Sequence, residues 1–242
     1  MEYTSMLYVA LVSVVGMTIQ SSAGFGYGML AMSIFPLFMS YTDALVVSAL
    51  TSLPCNLILT LRHRKHVNIK MLLLPLIAFA VANAISTSFL VGMADALMRR
   101  ALGATLILLA AYYLFFTSRV HIKASKLSGS ICGGISGTLS SLFGMGGPPM
   151  ALYLLDTTSE MQEYHANIFC FFVISQTNQF LVRAYSGLVS PDTIQLLWPS
   201  IVGMGVGVLI SMRLIKNMNL KTLRYFIYTF MAIMGARMLI VG

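Results

Sequence analysis

The amino-acid sequence predicts an all-α polytopic membrane protein made of two inverted repeats. Each repeat is expected to hold a broken, re-entrant helical hairpin followed by three transmembrane helices. Three observations carry this expectation. Of 242 residues, 58% are hydrophobic and 9% charged, with a mean hydropathy of +0.85, whereas soluble domains average about a quarter charged. Two glycine-rich interruptions of long apolar runs recur 118 residues apart. The basic residues collect on one side of the membrane only if both interruptions fold back on themselves.

The first repeat is placed at residues 1–118. Its broken element covers 5–39 and is interrupted at Ser21-Ser22-Ala23-Gly24-Phe25-Gly26-Tyr27-Gly28, where glycine lifts the steric limits on φ that keep a helix regular. Asp43 marks a turn. A long apolar helix over 44–61 follows, carrying Thr51, Ser52, Pro54 and Asn56. Arg62-His63-Arg64-Lys65-His66 forms a basic loop, 71–91 the next helix with Asn83 inside it, Gly92 to Arg100 a loop, and 101–117 a helix.

The second repeat is placed at 119–242. It opens with a basic loop from Arg119 to Lys126 and a second broken element over 128–155. Within 143–149, three glycines and two prolines break the helix. Proline clashes one turn back inside a helix but suits a helix start, where its missing N–H would be unpaired anyway. The spacing predicts a helix ending near Phe143, a turn over Gly144 to Gly147, and a new helix from Pro148-Pro149. Asp156, Glu160 and Glu163 form an acidic loop. A helix over 164–182 carries Asn167, Ser175, Gln176, Thr177, Asn178 and Gln179, and Arg183 to Pro191 is a loop. Then come a helix over 193–212, a basic loop through Arg213, Lys216, Lys221 and Arg224, and a last helix over 225–241.

An internal duplication explains the recurrence. Ser22 falls on Ser140, Phe25 on Phe143, Gly26 on Gly144, Gly28 on Gly146, Met32 on Met150 and Gly16 on Gly134. Fixed-period self-similarity of this kind governs the reading of the whole fold.

Charge then decides how the breaks sit. A full span needs about 20 residues, so each half has three ordinary spans and one broken element. Leaving out Arg237 within the last helix, a topology in which both breaks cross the membrane puts 8 Lys and Arg inside and 6 outside. If both are hairpins, the second half flips. Arg62, Arg64, Lys65, Lys70, Arg119, Lys123, Lys126, Arg213, Lys216, Lys221 and Arg224 then lie inside, against Arg99, Arg100 and Arg183 outside, which is 11 against 3. Cytoplasmic loops carry the excess of Lys and Arg, so the hairpin topology is favoured, with both termini outside. Inverted repeats with broken helices are a common transporter plan.

Other classes fit less well. The basic residues sit in short loops and not on one surface, which argues against a nucleic-acid partner. The three cysteines, Cys55, Cys132 and Cys170, lie in apolar runs with no C-x-x-C spacing, so neither a disulfide framework nor a zinc site is indicated. No metal or cofactor is expected. No Lys or Arg precedes the first apolar run, unlike the charged start of a signal peptide. Gly134-Ile135-Ser136-Gly137 matches the G-x-S-G of rhomboid intramembrane proteases. Its single downstream histidine, His165, lies near a membrane boundary, so the match is weak. An anion channel is a third alternative.

The paired motifs Gly24-Phe25-Gly26-Tyr27-Gly28 and Phe143-Gly144-Met145-Gly146-Gly147-Pro148-Pro149 resemble those of the sulfite exporter TauE/SafE family. The resemblance extends over essentially the whole chain, including the polar stretch His165-Ala166-Asn167 after the second motif. It implies a multi-pass transporter in the cell membrane, and not an enzyme, that moves sulfite, organosulfonates or related small anions. The partners expected are a small anion and the lipid bilayer, and a homodimer is compatible with the chain.

The residues support an anion site on their own chemistry. If the tips of two inverted hairpins meet near the midplane, each second arm points its unpaired N–H groups and positive dipole end at one spot. Such helix ends bind anions without a basic side chain. The expected binding residues are Ser21, Ser22, Gly24, Phe25, Gly26, Tyr27 and Gly28 in the first break. In the second they are Ser140, Ser141, Phe143, Gly144, Met145, Gly146, Gly147 and Pro148. Asn56, Asn167 and Gln176 join them from the polar helices, because polar side chains within a span face the bundle or a wet cavity. The competing assignment makes the glycines packing residues and has the serines bond their own backbone.

Overall fold

The computed structural model describes residues 3–115, 125–214 and 220–241. The basic residues Arg119, Lys123 and Lys216 and the histidine His121 fall outside these. Among the described residues the fold is helical throughout. In order the helices are α1 (Tyr3–Ala23), α2 (Tyr27–Ile34), α3 (Tyr41–Arg62), α4 (Ile69–Leu90), α5 (Asp95–Phe115), α6 (Lys126–Phe143), α7 (Gly147–Thr157), α8 (Met161–Tyr185), α9 (Pro191–Leu214) and α10 (Leu220–Val241). Four of the described stretches are long and apolar enough to cross a bilayer: Tyr41–Arg62, Ile69–Leu90, Asp95–Phe115 and Thr193–Ser211. Several apolar helices in one short chain make this a multi-pass membrane protein.

The helices run further than their apolar runs, because polar caps and charged first turns extend them. Ser40 accepts a hydrogen bond from Asp43 N at the start of α3. Asn68 caps Met71 N at the start of α4. Ser125 and Ser128 form a reciprocal capping box on α6, which satisfies two otherwise unpaired donors. Three expected loops are shortened accordingly. Arg99 and Arg100 lie in α5; Asp156 lies in the last turn of α7 and Glu163 in the first turn of α8; Arg213 lies in α9, and Lys221 and Arg224 lie in α10. A fourth loop loses Arg183, which belongs to the last turn of α8 and is buried.

Both glycine breaks turn the chain back. A side chain at Gly146 would run into Ser136 O and Ser140 Oγ, and Gly129 lies under the Tyr153 hydroxyl. The arm α7 therefore returns along α6. Likewise Gly16 lies under Tyr27 and Leu30, and Tyr27 Oη sits 3.3 Å from Ser13 Oγ, so α2 returns along α1. At about 1.5 Å per residue, the 8 residues of α2 and 11 of α7 are too short to span.

Close helix contacts hold the bundle. Gly133 packs on Pro75 and Gly137 on Phe79, joining α6 to α4; Gly203 packs on Ala10 and Gly207 on Val14, joining α9 to α1. These glycines touch backbone, so any Cβ would push the helices apart, which is the usual logic of packing inside a bilayer. Gly103 meets Gly235 where α5 crosses α10, and Tyr113 stacks on Tyr228 at 4.7 Å. At the centre lie α3 and α8. Arg183 reaches Leu45 O at 3.1 Å and Asn56 reaches Gln176 at 3.0 Å, so the two run antiparallel.

Candidate functional site

The two turns meet each other. The missing side chain of Gly28 points at Gly144 O, and that of Gly147 lies 3.1 Å from Phe25 Cβ and 3.2 Å from Phe172 Cζ. Positive φ is required at the turns themselves, 124° at Gly26 and 68° at Gly144, a region open to glycine and strained for other residues. Gly144 takes the C-cap of α6, with its N–H shared between Leu139 O and Ser140 O.

Between the turns lies a cavity of about 50 Å³, room for a few waters or one small oxyanion. The first break contributes Phe25, Gly26, Gly28 and Met29. The second contributes Ser140, Gly144, Met145, Gly146, Gly147 and Pro148. Gln20 comes from α1, Ser48, Ala49 and Ser52 from α3, and Phe172, Gln176 and Gln179 from α8. The starts of α2 and α7 both border it. Pro148 and Pro149 carry no N–H, so donors at the start of α7 come from Gly146 and Gly147, while α2 offers the N–H groups of its whole first turn.

A chain of amides fixes the polar wall. Gln20 Nε2 donates to Asn56 Oδ1 at 2.8 Å, Asn56 Nδ2 to Gln176 Oε1 at 3.0 Å, and Gln176 Nε2 to Ser52 Oγ at 2.7 Å. Each amide orients the next, so Gln20 and Gln176 are held in place where they border the cavity.

Ten of the expected binding residues line the cavity: Phe25, Gly26, Gly28, Ser140, Gly144, Met145, Gly146, Gly147, Pro148 and Gln176. Asn56 stands one layer back in the amide chain. The others sit elsewhere. Ser21 bonds Met17 O at 2.7 Å, and Gly24 packs under Tyr164 and Ile168. Tyr27 is buried over Gly16. Ser141 pairs with Thr87 at 2.8 Å, and Phe143 packs against the apolar core. The Ser22 side chain lies outside the described residues. Asn167 is fully buried away from the cavity: it accepts from Asn68 N at 2.8 Å and donates to Glu163 O at 2.9 Å, tying the start of α4 to α8.

Sequence reasoning missed Gln20, Ser48 and Ser52 as lining residues, while Gln179 stood in the polar cluster expected on the helix over 164–182. Gln20 precedes the first motif by one residue and has no counterpart at Thr138, and the serines occupy consecutive turns of one face of α3. Ser136, the residue of the protease alternative, is fully buried on α6 beneath Gly146. The three cysteines are buried and free. Among the described residues no group of three or more His, Cys, Asp and Glu could hold a metal.

The model of the family described as sulfite exporter TauE/SafE matches residues 8–238. No curated protein and no solved structure matches the chain.

Proposed function

The chain belongs to the sulfite exporter TauE/SafE family of integral membrane transporters, and from that premise we propose that it exports sulfite, a sulfonate or a related sulfur oxyanion through the cavity between its two glycine breaks. One observation carries the reading. The cavity is bordered by the N-terminal ends of two helices and by amides and hydroxyls, with no carboxylate among its lining residues. Helix N-termini and neutral donors favour an anion and disfavour a cation.

The same reading makes the two halves inverted. Under the 118-residue offset α3 corresponds to α8 and α5 to α10. Gln176 and Arg183 contact α3 in antiparallel register. Counterparts related by an axis along the membrane normal would run parallel, so antiparallel packing supports inversion. Removing buried Arg183 from the loop count sharpens the charge bias to 11 against 2 for hairpins, and flattens it to 7 against 6 for crossing breaks.

A thermal-shift screen of the purified protein against small anions tests the substrate class. Sulfite, sulfate or a sulfonate at about 100 times its Kd adds about 2.7 kcal/mol to stability, a shift of about 5 °C or more for a chain of this size. No shift with any sulfur oxyanion refutes the reading. The topology is tested separately. In a cysteine-free background, Ser159→Cys between α7 and α8 resists an impermeant thiol reagent in intact cells and reacts after lysis. Labelling from outside overturns the inverted arrangement.

A further inference from the structure

The lining side chains of the cavity carry no formal charge. Behind them lies Arg183, 1% exposed and one turn beyond the lining residue Gln179. Its partners are main-chain carbonyls. Nη1 donates to Leu45 O at 3.1 Å, and Nη2 to Ser140 O at 2.9 Å and Ser141 O at 3.1 Å. Nε has no partner among the described residues. A buried cation without a paired anion is costly, so its placement calls for a reason.

The carbonyls it covers give one. Two of them, Ser140 O and Ser141 O, belong to the last turn of α6, where a helix presents its negative pole, and the third, Leu45 O, lies early in α3. The positive pole of α7 begins only a few residues later, at Gly147. A tight hairpin thus sets two opposite poles side by side, and uncovered they would cancel at the cavity. Arg183 takes Ser140 O and Ser141 O, and the Tyr41 hydroxyl takes Leu142 O.

We propose that Arg183 is the fixed positive charge of the anion site: it quenches the carbonyl end of α6, so that the cavity faces the positive end of α7 and a net cationic wall. This rests on the reading that the cavity binds an anion. It adds a selectivity for charge. Coulomb energy scales with the charge of the ligand, so Arg183 favours a dianion over a monoanion that presents the same oxygens.

Sulfate and methanesulfonate share three sulfonyl oxygens and differ in charge, and their binding to the purified full chain by calorimetry reads the effect. In Arg183→Met, affinity for methanesulfonate falls about 10-fold and for sulfate about 100-fold, the square of the first factor. A purely structural cap would lower both affinities by one common factor, and that result overturns the inference. Arg183→Lys keeps the charge but loses the fork, so the sulfate-to-methanesulfonate ratio stays within about threefold of wild type while both affinities drop modestly. It carries the test if the methionine variant does not fold; a ratio that collapses in the lysine variant overturns the inference. Wild-type protein that binds neither ion removes the anion site, and the inference with it; a wild type that binds both, with equal losses in Arg183→Met, leaves the site standing and removes only the role of Arg183.

Discussion

Gly28→Val abolishes transport, with flux in proteoliposomes below about 1% of wild type, while the protein still reaches the membrane. The expected size follows from where the new side chain would go. Its Cβ would run into Gly144 O, the backbone of the opposite turn, which has no rotamer with which to give way. Overpacking of this kind costs about 1–3 kcal/mol even in tolerant cores. Here it separates the two surfaces that form the cavity. Gly146→Leu is expected to be as severe for a related reason. Its side chain would point not into the cavity but at Ser136 O and Ser140 Oγ, so it wedges α7 away from α6. Gly134 and Gly205 supply the control, since a Cβ at either meets nothing within 4 Å. Gly134→Leu and Gly205→Leu should transport within about twofold of wild type, as surface substitutions usually change little. Normal flux in Gly28→Val would remove the contact between the turns from the mechanism.

Much of this was legible in the sequence because broken helices are written in residue chemistry. Gly144 at positive φ and Pro148-Pro149 at a helix start leave few backbone paths, and the end of α6 at Phe143 agrees with the expectation. The return of each second arm followed from charge bias, which is a property of loops and needs no knowledge of packing. Arg183 was misplaced for the converse reason. In one dimension a charged residue at the end of an apolar run signals a loop. Only the fold shows three carbonyls converging on its guanidinium from α3 and α6. Asn167 shows the other direction. A buried amide in a span reads as a ligand group from sequence, whereas in the fold it stands away from the cavity and bonds Asn68 N and Glu163 O. Gln20 belongs to the site through Asn56, 36 residues away, a pairing that local pattern does not contain.

Flux should follow the membrane potential and need no pH gradient. The chain has seven acidic residues, Glu2, Asp43, Asp95, Asp156, Glu160, Glu163 and Asp192. Among the described residues no carboxylate is buried, and Asp43, Asp95 and Glu163 lie in first turns, at the ends of spans and not within them. An intramembrane carboxylate is the usual carrier of a coupled proton. Without one, the simpler driving force is voltage, which contributes about 2.3 kcal/mol per charge per 100 mV. For an anion leaving a cell that is negative inside, the sign is favourable. At about 1.4 kcal/mol per factor of ten, 100 mV sustains a roughly 45-fold outward gradient of a monovalent anion, and uptake would work against the same force. A dianion doubles the exponent, so the charge selectivity inferred for Arg183 would also steepen the dependence on voltage. Proteoliposomes with an imposed potassium-diffusion potential and equal pH on both sides decide the point. Anion flux should reverse when the potential is reversed, and the initial rate should rise with its magnitude. Flux that ignores the potential and tracks only an imposed pH difference would refute voltage-driven export and require a proton carried by His165 or by the substrate itself.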